Sequence, residues 1–185
     1  MTISEPSTWE GRSLTVSWMA APARPPRALV TQASGVCFAE DGQIVLVAGP
    51  DGCWALPGGH PEPGETTEGA FVREVREEAC AVVQHLAYLG AQQVDDPEAA
   101  AGPRRTYQER FWARVKLGPF GPRFEIGLRA LVAPGAFVET LAWHTTRIAG
   151  ALLEAALAEE TRFREELGEG ESSGEGESGG KVRAL

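Results

Sequence analysis

The chain has 185 residues and a formal net charge of −9, with 43% hydrophobic and 23% charged residues. That length holds one domain with a sizeable core and excludes two ordinary ones, and the composition is that of a globular protein that folds without disulfides or a structural metal. The acidic balance excludes a stable nucleic-acid binder, whose phosphate contacts need clustered Lys and Arg, yet it admits a small anionic substrate if metal ions supply local positive charge.

The cysteines Cys37, Cys53 and Cys80 are odd in number and scattered, so neither a disulfide framework nor a zinc site is expected. No apolar run approaches the roughly 20 residues of a membrane span, and the N-terminus lacks a basic start followed by an apolar block. The expectation is no membrane association and a cytoplasmic location.

Residues 1–27 form an extension in which Leu14, Val16 and Trp18 alternate with Thr15 and Ser17, the period of a strand. This strand pairs either with the edge of the domain or with a second subunit, and the first is favoured. The main domain, 28–167, opens with β-rich runs at 28–39 and 44–47, joined as a hairpin through Asp41-Gly42, whose residues tolerate positive φ. Trp54-Ala55-Leu56 stops at Pro57-Gly58-Gly59, and a loop rich in Pro, Gly and Glu leads to a helix starting near Thr67, capped by Thr66 or Thr67.

Strands are expected at 82–89, 107–115 and 128–132, in an order that suggests a mixed sheet. On the second of these, Trp112 shares a face with Gln108, Arg110 and Arg114, opposite Phe111, Ala113 and Val115. A Trp and two Arg on one face can stack a base and bind phosphates; a partly exposed strand under another element reads equally well. Arg105 borders a long loop expected over 92–106 and is a further candidate for substrate binding. Ile148, Leu152, Ala155, Ala156 and Glu159 recur at helical spacing, which predicts a helix over 145–167 ending at Gly168. Residues 168–185, built largely from Gly, Glu and Ser, are expected to be a disordered tail.

The chemistry concentrates between Gly58 and Glu78. Glu74, Glu77 and Glu78 lie three and four positions apart, so at about 100° per residue they share one arc of a helix. Phe71, Val72, Val75 and Ala79 fall on another side, suited to burial. Like charges at this spacing cost an isolated helix about 0.2–0.5 kcal/mol per pair, a repulsion that a divalent cation with a preference for hard oxygen ligands removes. A solvated acidic face is the plainer reading of the helix alone. His60, His85 and His144 show no partner at a zinc or nucleophilic-triad spacing.

The residues preceding the helix decide between these. Gly59-x5-Glu65-x7-Arg73-Glu74-Val75-x-Glu77-Glu78-x-Cys80-Ala81 resembles the Nudix box, G-x5-E-x7-R-E-U-x-E-E-x-G-U with U aliphatic, and fills every fixed polar position. The departure is Cys80 at the terminal glycine, a helix-closing position where a side chain costs on the order of 1 kcal/mol. The resemblance implies an α/β/α sandwich with a mixed β-sheet between helices. It implies Mg2+ or Mn2+ bound by Glu74, Glu77 and Glu78 with the carbonyl of Gly58, and a pair between Glu65 and Arg73 that holds the loop. It further implies metal-activated water attacking a phosphoanhydride of a nucleoside triphosphate, a nucleotide sugar such as ADP-ribose, or a dinucleotide. Glu74 is the first choice of general base, with Glu109 and Glu125 open as an additional base or ligand. A homodimer through the N-terminal strand is likewise implied, and the alternative function is a catalytically silent nucleotide sensor or regulator.

Overall fold

The computed structural model describes residues 3–9, 11–121, 126–143 and 145–172. Glu125, His144 and the expected tail from residue 173 onward lie outside the described residues. Among the described residues nine strands, β1 (Ile3–Trp9), β2 (Arg12–Ala20), β3 (Val30–Phe38), β4 (Ile44–Ala48), β5 (Trp54–Ala55), β6 (Gly58–Gly59), β7 (Ala81–Asp95), β8 (Arg105–Leu117) and β9 (Leu128–Val132), form one sheet. The order is β1-β2-β7-β8-β3-β4-β5, with β6 beside β3 and β9 beside β4. Only β3 and β8 run parallel among these pairs, so the sheet is mixed, as expected.

The helices α1 (Thr67–Glu78), α2 (Phe137–Thr140) and α3 (Thr146–Ser172) sandwich this sheet. Helix α1 lays Ala70, Phe71, Val75 and Ala79 on one face, against Ala33, Cys37, Val45, Val47, Phe111, Ala113 and Val115. The Phe71 ring stacks on Phe111 with centroids 5.3 Å apart. The other face carries Val36, Phe38, Ile44, Leu46 and Trp112 under Phe137, Ala149, Leu152 and Ala156 of α2 and α3. Each helix therefore buries the stripe its spacing dictates, with one adjustment in α1: Ala70 is buried and Val72 is exposed.

The predicted hairpin is present, pairing Cys37 with Val45 and Phe38 with Ile44 around a turn in which Gly42 has φ +82°. The extension contains two strands where one was expected. Its first strand, ISEPSTW, carries Pro6 and mostly polar residues and shows no apolar alternation; it forms because β2 offers it a partner. The hairpin adds to the domain edge through β2 and β7. A Glu5 carboxylate oxygen then accepts the Ile148 N–H at 2.8 Å, satisfying a donor in the first turn of α3.

Two boundaries differ from expectation. Strand β7 continues to Asp95 because Gln92 and Gln93 find partners on both β2 and β8, so the expected 92–106 loop shrinks to residues 96–104. Helix α3 passes Gly168 and runs to Ser172, which an isolated glycine permits at a cost of about 1 kcal/mol.

Candidate active site

Thr66 opens α1 with an extended backbone, and its hydroxyl accepts the Gly69 N–H at 3.0 Å. The capped helix presents Arg73, Glu74, Glu77 and Glu78 beside the two-residue strand β6, which is pinned to β3 through the pairs Ala33 with Gly59 and Ser34 with Gly58. Glycines are required here. Gly58 has φ +149°, and a Cβ on it would lie 2.2 Å from the Ser34 Cβ. A Cβ on Gly59 would lie 2.2 Å from Oε1 of Glu74, so the absent side chain makes the room that this carboxylate occupies.

Glu78 reaches the same turn: its Oε2 accepts the Gly58 N–H at 2.8 Å. Arg73 organises the remaining acids. Its Nε and Nη2 donate to the two oxygens of Glu65 at 3.1 and 3.2 Å, and Nη2 also reaches the His60 carbonyl. Its Nη1 donates to Glu74 at 2.8 Å and to Glu77 at 3.4 Å. Hydrogen bonding from Arg73, joined by the Glu62 N–H, holds the Glu65 carboxyl below the usual carboxylate range, and Glu65 in turn raises the Arg73 pKa.

Loop and helix are thus tied by a forked, charge-assisted pair. Among the described residues no three acidic, histidine or cysteine side chains gather as a ligand set; each carboxylate of the arc rests on an N–H donor. The donor set still fits a hard divalent cation. It is all carboxylate, and Glu74 and Glu78 arrive at one glycine turn with Glu77 joined to Glu74 through Arg73.

The helix closes as its sequence requires. Cys80 has φ +49°, the left-handed conformation in which the box motif places glycine. Contacts offset the strain: the Cys80 carbonyl accepts the Gly118 N–H at 2.8 Å, and Arg129 donates to the Ala79 carbonyl at 2.7 Å.

Other candidates are placed differently. Glu109 is buried near the start of α1, where it accepts from the Thr67 hydroxyl and from Arg24 at 3.4 Å. It ties the extension to the helix about two turns away from Glu74. Arg105 is exposed and donates to Asp95, its cross-strand partner, at 2.6 Å. Trp112 and Arg114 are covered by α3 and form no open stacking face. The Trp112 indole donates to the buried Glu160 at 3.2 Å, and Arg114 donates to the same carboxylate at 2.8 Å. Burying Trp112 under Leu152 and Ala156 requires a carboxylate there to satisfy these donors.

Arg110 is buried too, but no carboxylate among the described residues pairs with it. Its Nη1 and Nη2 donate to Gln32, Ser34, Gln92 and Gln108, and Trp143 lies over the guanidinium with its ring centroid 5.3 Å away. The sequence reading found Arg110 and Gln108 on this face but missed Gln32, Ser34, Gln92, Trp143 and Glu160. These come from four different elements or connections, and no local spacing joins them.

A NUDIX domain family model matches residues 29–167. The NAD-capped RNA hydrolase NudC of Pseudomonas putida is 38% identical over 64 residues, a stretch covering 35% of this chain and only 21% of that relative. The Bacillus subtilis pyrophosphohydrolase BsRppH shares the fold with TM-score 0.62 and 22% identity, covering 84% of this chain and 97% of that one. A NUDIX hydrolase from Nitrosomonas europaea does so with TM-score 0.55 and 23% identity, covering 70% and 89%.

Proposed function

Because the chain belongs to the Nudix hydrolase family, we propose that it is a pyrophosphohydrolase cleaving a phosphoanhydride bond in a nucleoside diphosphate-linked compound, with Mg2+ or Mn2+ as cofactor. The observation that carries this reading is the delivery of Glu74 and Glu78 to the Gly58-Gly59 turn, with Glu77 on the same arc. Nucleoside triphosphates, nucleotide sugars and dinucleotides all contain the bond concerned. Relatives described as a pyrophosphohydrolase and as an NAD-capped RNA hydrolase make this class the first to assay.

Glu74, Glu77, Glu78 and the Gly58 carbonyl would hold the cation. When bound, it lowers the pKa of water and neutralises charge on the phosphate oxygens and the leaving group. Glu74, to which Arg73 donates, would accept the proton of the attacking water. Arg73 and Glu65 are positioning residues: their paired bonds keep the 59–65 loop and the glutamate arc in one register, so that the acids meet the phosphates together.

The test is a panel of these compounds with Mg2+ or with chelator, the products identified by mass spectrometry. Cation-dependent release of a nucleotide is expected. Glu77→Gln and Glu78→Gln should each lower turnover by about 10²-fold or more with thermal unfolding unchanged. Near-normal turnover in both variants overturns the assignment.

A further inference from the structure

The segment joining β2 to β3, residues 21–29, is fastened to the start of α1 from outside the box motif. The Tyr88 hydroxyl donates to the Ala23 carbonyl at 2.9 Å, and the Arg24 guanidinium lies 4.0 Å from the centre of the Tyr88 ring. Arg24 then donates to Glu68, in the first turn of α1, at 2.7 Å and to the buried Glu109 at 3.4 Å. Pro25 is buried, and Pro25 and Pro26 fix their own φ, which stiffens the step from Arg24 to Arg27. A single turn, closed by the Leu29 N–H on the Pro26 carbonyl at 2.9 Å, sets the Arg27 backbone. Arg27 Nη2 donates to the Glu65 carbonyl at 2.7 Å.

Glu65 is thus gripped twice. Arg73 holds its side chain from the helix, and Arg27 holds its backbone from the segment leading into β3. The Glu65 carboxylate occupies Nε and Nη2 of Arg73, whose Nη1 reaches Glu74 and Glu77. An Arg73 released by Glu65 would fall on Glu74 and Glu77 as a competitor of the cation. The bonds from Arg24 to Glu68 and from Arg27 to Glu65 lie at the surface, where losing one costs little stability. A displacement of about 1 Å in the acids, by contrast, costs about 10²-fold in turnover.

We propose that Arg27, on the segment that Arg24 anchors, is a positioning residue: it fixes the Glu65 backbone so that the Glu65 carboxylate keeps Arg73 engaged and leaves Glu74 and Glu77 to the cation. The inference rests on the hydrolase reading and deepens it, because Arg24 and Arg27 precede residue 29, where the family match starts. Removing a positive charge near the acids would by Coulomb attraction alone tighten cation binding. Loss of positioning weakens it, so the sign separates the two effects.

The test uses the full chain and Arg27→Ala. Mn2+ binding without nucleotide, read by electron paramagnetic resonance, is expected to weaken about tenfold, with the melting temperature within about 2 °C of wild type. With a compound that the wild type hydrolyses, kcat should fall about tenfold while KM stays within about twofold, since Arg27 acts through Glu65 and not on the substrate. In a Glu65→Ala background the same substitution should lower kcat less than about twofold, because nothing is left to transmit the grip. Unchanged or tighter Mn2+ binding, a raised KM with kcat intact, or an equal cost in the Glu65→Ala background each overturns the proposal and leaves the hydrolase reading standing. Weaker Mn2+ binding in Arg27→Ala, from a wild type that hydrolyses no compound of the panel, upholds the role of Arg27 and counts against the hydrolase reading.

Discussion

The two faces of the sheet handle charge in opposite ways. On the α1 face the acids sit at the surface of one helix, and a single arginine four positions or fewer from Glu74 and Glu77 gathers them. On the α3 face the charged groups are buried: Glu160 is shared by Trp112, Arg114 and Arg164, and Arg110 is wrapped in amides. Desolvated charges hold a structure together only as complete sets, because removing one partner leaves the other stranded. Partly exposed charges contribute little to stability and are available for chemistry. The comparison teaches that polar residues of the α1 face should affect turnover, and those of the α3 face should affect folding.

Phe71→Ala removes the apolar anchor that both functions share. It is expected to cost about 4 kcal/mol, read as a lower denaturation midpoint, and a loss under 1 kcal/mol would mean α1 is held by its charges instead. Glu160→Ala leaves Arg114 and the Trp112 N–H without their acceptor under α3. A loss of about 3 kcal/mol is expected, and an unchanged melting temperature would break the contrast between the faces. Arg73→Gln should show the converse: turnover falls about tenfold or more while stability changes by about 1 kcal/mol at most, because the pair is partly solvated.

Smaller effects sharpen the picture. Cys80→Gly relieves a positive φ but loses the Sγ contact to the Gly121 carbonyl, so a gain of at most about 1 kcal/mol is expected from chemical denaturation. The Glu65 carboxyl titrates below its ordinary value of 4.5 when folded, so its contribution is fully present above pH 4.5. That contribution is lost as pH falls through the lowered value. Wild-type and Glu65→Gln unfolding curves should therefore converge in that acid window, and a constant gap down to the lowest pH would exclude the linkage.

How much of this was readable in the sequence follows the range of each interaction. The polar spacing from Gly59 to Glu78 carries the glutamate arc and its tie to Glu65 because these groups lie on one helix and the loop before it. The helix stripes and the β3 and β4 hairpin were equally plain from apolar period and turn chemistry. Strand β1 was not, because Ser4, Pro6 and Ser7 form a strand only against a partner already in place. The roles of Trp112 and Arg114 stayed open between a substrate-binding face and a covered strand for a related reason. Period-two alternation assigns them to a common face, but only α3, whose Glu160 comes 46 positions after Arg114, determines that the face is covered.

By itself, then, the sequence determined the helix, the glycine turn and the acids between them, since backbone geometry over a few residues is enough to set their spacing. The tertiary structure alone decided which charged groups are dry, which are paired, and that Arg110 meets Gln32, Gln92, Gln108 and Trp143. Burial depends on what packs above a side chain, and here that is chain many residues away.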